Sequence, residues 1–311
     1  IIRAKLVAHI LHSTGMGISS VFNSAANTIQ QFALMGLNVS AVPPISQANN
    51  DADPRVLAFT VRLVRRIVLM ASLLGLVITV VFSPLLSATS FNDQSHIPYF
   101  LLLSLAVFFN VMGMGEMAVM QGLRKYKMLA FCSIVPPLCG LMLSVPIYFI
   151  WGIEGIVPAM IVGNIIYFIV IRLLSYRQKN ELPQEKISLK AMWTQGRGII
   201  KFGAIMTLGS MIGTVTTYAL IAFINNIGST EDVGFYQACN VITVQYTGLV
   251  FTAMATDYYP HLSSLIKTNI TEAFRTVNQQ TEITMLMITP LAILLMLTAP
   301  LAIRILLTEE F

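Results

Sequence analysis

Few side chains in this sequence are equipped for chemistry, and most of those lie inside long apolar runs where an ionisable group is costly. Arg3 and Lys5 fall in the first such run. With that run ending near Thr14, Arg3 lies roughly 16 Å along a helix, close to the midplane of a hydrocarbon layer about 30 Å thick. A cation at that depth needs water or an anion beside it, so holding an anionic group is its default role. Lys5 projects about 200° away around the helix, so the two cannot both face one cavity squarely. Glu116 lies about 9 Å inside a run that ends near Gly122. It either pairs with one of these cations or titrates in ion coupling. Lys201 opens a later run and either joins the site or snorkels to the interface. Arg304 and Asp257, near run ends, read as local pairing or capping groups.

Other chemistries find little support. His9 and His12 are three apart on a helix, yet no third ligand accompanies them, so no metal site is expected. Cys132, Cys139 and Cys239 sit in separate apolar runs, which suggests neither a disulfide framework nor a metal cluster. No phosphate-binding loop, dinucleotide turn or Ser–His–Asp grouping stands out. No catalytic residue and no cofactor is expected, and the chain does not read as an enzyme.

Polar residues inside the runs recur at helical spacing. One run carries Ser20, Asn23, Asn27, Gln30 and Gln31, with Asn38 beyond. A later one carries Thr207, Ser210, Thr214, Thr217 and Tyr218. A third carries Gln237, Asn240, Thr243 and Thr247, then Asp257 and Tyr258 near its inner end. The runs near 67–87 and 128–150 show no such stripe. Lipid-facing surfaces are apolar, so these stripes turn inward. They either bond helix to helix, at about 0.6 kcal/mol per contact, or line a wet central cavity. The candidate substrate-binding set is therefore Arg3, Lys5, Asn23, Asn27, Gln31, Glu116, Lys201, Ser210, Thr214 and Asn240.

The elements that would position them are membrane-spanning helices. Charged residues make up 11% of the 311-residue chain and apolar ones 56%, whereas a soluble domain carries roughly a quarter charged residues. Runs long enough to span occur near 16–38, 67–87, 99–122, 128–150, 152–175, 199–224, 234–259 and 283–307, each about 20 residues or more. Residues 1–12 read as the second half of a further helix. The gaps at 43–66, 123–127, 172–201 and 260–281 hold 16 of the 19 Lys and Arg residues, while those near 13–15, 86–98, 151–156 and 225–233 hold none. Lys and Arg resist translocation, so the first set faces the cytoplasm and the second faces outward. The net charge of +5 then serves anionic lipid rather than nucleic acid. Prolines at 136, 137, 146, 158, 290 and 300 should kink or loosen their helices.

A shift of 217 residues places Gly17 on Gly234, Asn23 on Asn240, Pro43 on Pro260 and Ser46 on Ser263. Such matches suggest parallel repeats, a common transporter plan. The expected fold is all-α and polytopic, with two pseudo-symmetric six-helix lobes around a central cavity and the second lobe incomplete. Residues 1–178 would form the first lobe, 179–198 a flexible or surface-lying cytoplasmic connector, and 199–311 part of the second.

Four stretches carry a family resemblance: STGMGISSVFNS (13–24), AVMQGLRKYKMLA (118–130), EDVGFYQACNVI (231–242) and FTAMATDYYPHLSSL (251–265). Taken in order, the chain resembles the Wzx-type polysaccharide and O-antigen flippases of the multidrug/oligosaccharidyl-lipid/polysaccharide exporter superfamily. The resemblance implies a fragment of a multi-pass protein of the bacterial inner membrane, with half a helix missing before Ile1 and about three after Phe311. It implies passage of undecaprenyl-diphosphate-linked oligosaccharide to the periplasmic leaflet by alternating access, with cavity cations such as Arg3 and Lys5 holding the diphosphate. Implied partners are the lipid-linked oligosaccharide, membrane lipid, and the glycan polymerase and glycosyltransferases, with no nucleic acid. A cation-coupled multidrug antiporter of the same superfamily is the nearest alternative. A membrane-embedded glycosyltransferase or polymerase is the alternative of another class.

Overall fold

The computed structural model describes residues 2–50, 54–176, 189–241, 243–244, 248 and 270–306, and every regular element among them is helical. In chain order these are α1 (Ile2–Leu34), α2 (Leu37–Ser40), α3 (Val42–Asn50), α4 (Pro54–Phe91), α5 (Ile97–Gly122) and α6 (Tyr126–Trp151). A 3-10 turn (Gly152–Gly155) leads into α7 (Ile156–Tyr176), then α8 (Leu189–Ile227), α9 (230–241) and α10 (Ile270–Leu306). A chain this apolar must satisfy its own backbone within each segment, which leaves the helix as its natural element. Five stretches are long and apolar enough to cross a membrane: Pro54–Phe91, Ile97–Gly122, Lys127–Ser175, Thr207–Ile227 and Ile270–Thr298. The third of these folds back at the 3-10 turn and so supplies two crossings. The chain is a multi-pass membrane protein.

Several helices overrun the expected spans. α4 begins at Pro54, so Arg55–Arg66 are helical rather than a loop. α8 begins at Leu189, within the expected connector, and Lys201 lies well inside it rather than at its start. The expected outer turn at 13–15 is also helical; the break falls one residue earlier, at His12, whose φ of 59° and ψ of −168° interrupt α1. A positive φ outside glycine is strained. Pro84 lies inside α4, and Pro136, Pro137 and Pro146 lie inside α6. In packed apolar segments neighbouring groups can take up the hydrogen bonds that proline frees.

Two compact units emerge: Gly17–Val233, and Ile1–Met16 together with Gly234–Phe311. The first begins at Gly17 and stops one residue short of Gly234, the pair of glycines that the 217-residue shift superposes. Within it α4 packs on α5, α5 on α7 and α6 on α7, while α8 lies against α2 and α4. The α4 surface in this core is a row of small residues. Ser72, Thr79, Ser83, Ser87 and Ser90 are all buried, which corrects the expectation that this span has no polar stripe. Four of these hydroxyls donate to a nearby carbonyl and are shut in by packed neighbours: Ser72 donates to the Leu69 carbonyl, Thr79 to Gly75, Ser83 to Val80 and Ser87 to Asp93. The row is thus a packing seam, of the kind that lets helices approach closely without a hydrophobic driving force. A Cβ at Gly115 would lie 2.3 Å from Val68 Cγ1, so only glycine fits there. At the end of the bundle that holds the α4–α5 turn, Phe22, Phe91, Tyr99 and Phe100 form an aromatic cluster, with Phe22 and Phe100 centroids 5.0 Å apart.

In the second unit the described part of α10 is 37 residues long, with no buried position in its most apolar window. Its large apolar side chains, such as Met285, Leu286, Met296 and Leu297, are exposed. For a membrane helix this surface belongs against lipid or further helices rather than water.

Candidate functional site

The strongest charge cluster is built around Glu116 on α5, whose carboxylate is almost wholly buried. Arg65 on α4 donates to Glu116 Oε2 from Nε at 3.2 Å and from Nη2 at 2.9 Å. Arg172 on α7 bonds the other carboxylate oxygen. The Ser175 hydroxyl donates to Oε2 at 2.9 Å and accepts from Arg65 Nη2 at 2.5 Å. Glu116 therefore does pair, as the sequence suggested, but with Arg65 and Arg172, both of which stand in stretches that looked like cytoplasmic loop and helix end. Three helices are pinned by one carboxylate, and the cluster keeps one positive charge in excess. Burying an acid is tolerable only with such complete pairing.

α8 has two faces, with Thr216 interrupting the apolar one. At 100° per residue, Thr207, Ser210, Thr214, Thr217 and Tyr218 fall on one side. The exposed apolar residues Ile205, Leu208, Ile212, Val215 and Phe223 fall on the opposite side. The hydroxyls bond back to their own helix: Thr207 to the Gly203 carbonyl, Ser210 to Thr207, Thr214 to Ser210 and Thr217 to Gly213. Each therefore keeps its oxygen lone pairs available, and Ser210 and Thr217 are exposed.

Both ends of this polar face are anchored. Toward one end, Gly36 has a φ of 72° and meets Gly203; a Cβ on Gly36 would lie 2.3 Å from the Gly203 carbonyl oxygen. A Cβ on Gly203 would lie 2.5 Å from the Met35 oxygen and 2.7 Å from Ser40 Oγ, so this crossing requires glycine twice. At the other end Tyr218 shares hydrogen bonds with Thr89 (3.0 Å) and Ser90 (2.9 Å) on α4. Asn225 donates to the Ser90 carbonyl at 2.6 Å, and Asn226 to the Thr89 carbonyl at 2.7 Å. The middle of the stripe carries no comparable bond across to α4 among the described hydrogen bonds.

The remaining candidates divide as follows. Asn23 donates to Ser19, at 2.7 Å to its carbonyl and 3.2 Å to its hydroxyl, and so is partly committed to its own helix. Asn27 is exposed, while Gln31 and Asn240 are partly exposed. Lys201 is exposed on α8. Arg3 and Lys5 fall on the α1 backbone, but their side chains lie outside the described residues, as do Thr247, Asp257 and Tyr258. The structure thus brings Glu116 together with two arginines that sequence reasoning left aside. The signal for Arg65 was its place on one continuous helix from Pro54 that goes on to pack against α5, which a loop reading hides.

The turn between α4 and α5 is ordered by its own polar groups. Asp93 Oδ1 accepts from the backbone N–H groups of Gln94 (2.6 Å) and Ser95 (3.2 Å). Those bonds, with the Ser95 hydroxyl foremost, hold its carboxyl below the ordinary value of 3.8. His96 stacks on Phe91 with ring centroids 4.1 Å apart. Desolvation there lowers its pKa from 6.5, against a smaller opposing pull from Asp93.

A family model described as polysaccharide biosynthesis protein matches residues 6–311. Neither a curated protein nor a solved structure matches the chain significantly.

Proposed function

Because the chain belongs to the polysaccharide biosynthesis protein family, we propose that it is a flippase carrying undecaprenyl-diphosphate-linked oligosaccharide from the cytoplasmic to the periplasmic leaflet of the bacterial inner membrane. The observation that carries this reading is the face of α8 that bears hydroxyls yet, among the described residues, makes few bonds to other helices. A helix that used Thr207–Tyr218 only as glue would spend those groups on a neighbour. Here the middle of the stripe is left with open acceptors, as the wall of a hydrated path needs.

In the mechanism, the sugar–diphosphate head enters a cavity lined by Asn23, Asn27, Gln31, Ser210, Thr214 and Asn240, while the prenyl tail stays in lipid. Arg3 or Lys5, with Lys201 nearer the inner boundary, offsets the desolvation of the diphosphate. Outward movement of its negative charge is favoured by an inside-negative potential, at about 2.3 kcal/mol per charge per 100 mV. The bonds of Tyr218, Asn225 and Asn226 to α4 seal the outer end and must break for release. Glu116 keeps α4, α5 and α7 moving as one body. Alternating access then exposes the head outside.

Two other readings make different demands. A cation-coupled antiporter needs acids facing its cavity, whereas Glu116 is already paired to two arginines. A glycosyltransferase or polymerase needs a sizeable outer loop, and the turns at 92–96 and 152–155 are short. A deletion strain decides: loss of surface glycan with unchanged drug resistance supports the flippase. Drug hypersensitivity with intact glycan favours the antiporter. Accumulation of unpolymerised glycan already outside the membrane favours the polymerase.

A further inference from the structure

Between α3, α4 and α8, on the side of the arginine-rich start of α4, lies a cleft of about 440 Å³. That size is within the usual range of small-molecule sites, about 300–1,000 Å³. Its lining includes Ser40, Pro43, Gln47, Thr60, Ile199 and Phe202, and none of its lining residues is charged. Ser40 is almost fully buried, yet its hydroxyl has no hydrogen-bond partner among the described residues. A buried hydroxyl left unpaired costs free energy, so it marks a place where something else supplies the bond. Gln47 is exposed, as is Phe202 at 44% of its surface.

The chemistry of this lining selects its ligand. A phosphate group would find no cation there. A prenyl or acyl chain would leave the Ser40 and Thr60 hydroxyls and the Gln47 amide against hydrocarbon. A sugar ring suits both halves, with hydroxyls for the amide and hydroxyl groups and apolar C–H faces for Phe202 and Pro43. Position agrees with this. Ile199 falls in line with the hydroxyl face of α8 and Phe202 on the flank between that face and the apolar one, so an occupant of the cleft borders the polar stripe on one side and lipid on the other.

We infer that this cleft receives the sugar head of the lipid-borne substrate at the inner membrane boundary before the head passes to the hydroxyl face of α8. The inference rests on the flippase reading and adds to it a sugar-recognition site apart from the central cavity.

The test uses the full-length protein in nanodiscs and three probes: polyprenyl diphosphate bearing N-acetylglucosamine, the same lipid without sugar, and free N-acetylglucosamine. Wild type should bind the sugar-bearing lipid about tenfold more tightly than the sugarless one, the worth of one or two well-made hydrogen bonds. Gln47→Ala and Phe202→Ala, both at exposed positions, should remove that preference and leave the sugarless lipid bound as before. Variants that keep the full preference, or that lose both lipids equally, overturn the assignment. Free sugar binding as well as the lipid-borne sugar overturns it too, because the cleft would then owe nothing to the membrane boundary. A parallel vesicle translocation assay separates the two levels. If wild type moves the sugar-bearing lipid while the variants keep their preference, only the cleft is lost; if wild type moves none, the flippase reading falls with it.

Discussion

Glu116 shows how one residue organises a membrane bundle. Its carboxylate holds Arg65, Arg172 and Ser175 from three helices, so removing it strands two guanidiniums. Breaking a buried pair typically costs 3–5 kcal/mol. Both arginines keep partial access to solvent, with side chains 20% and 37% exposed, so Glu116→Ala should cost about 3 kcal/mol. Thermal unfolding in detergent would read this as a clear drop in Tm, and a Tm unchanged from wild type would refute the structural role. His96 gives a second prediction. Folded His96 binds its proton less readily than the unfolded chain does, so acid favours the disordered turn. The stabilisation is full above the ordinary value of 6.5 and declines as pH falls below it. Protection of the amides at 92–97, taken relative to the intrinsic exchange rate at each pH, should therefore fall between neutral pH and pH 5, and His96→Gln should flatten that dependence. The sequence made Glu116 conspicuous because an acid in an apolar run always is. Its partners stayed hidden because arginines at the ends of runs look like ordinary loop charge until helix lengths are known.

The elements were legible as apolar runs, while their ends were not. Hydropathy locates the hydrocarbon, but the helix continues wherever backbone bonding can. α4 therefore reaches back to Pro54 and α8 to Leu189. The seam of Ser72, Thr79, Ser83, Ser87 and Ser90 escaped notice because small hydroxyl residues spaced for packing resemble, one at a time, neutral apolar positions. In the proposed mechanism α8 is the element on which function turns. It is fastened by a glycine crossing at Gly36 and Gly203, which has no polar bond to break, and by the bonds of Tyr218, Asn225 and Asn226, which can exchange with water. The account thus predicts that the outer fastening is the one that opens. Thr89→Cys with Asn226→Cys, joined by a short reducible thiol cross-linker, should stop glycan export, and reductant should restore it. Export that continues while the pair is fully cross-linked would exclude movement there. Gly203→Ala should instead impair folding and membrane abundance, because its Cβ collides with backbone.

At the scale of the molecule, the alternation of basic and uncharged gaps predicts the orientation. A cysteine at Gln94 should react with an impermeant thiol reagent applied from outside, and one at Lys125 only from the cytoplasmic side. The reverse pattern would invert the transport direction argued above. The central claim is that a cation-bearing, hydroxyl-lined path carries a lipid-linked sugar across the membrane. Its most direct test is translocation by the purified full-length protein in vesicles loaded with a fluorescent polyprenyl-diphosphate sugar, read by an impermeant quencher. Wild type should expose the sugar far faster than protein-free vesicles, and Arg3→Gln with Lys5→Gln should return the rate to that background at equal protein content. A wild-type rate no faster than that of empty vesicles, or a double variant as fast as wild type, would contradict it.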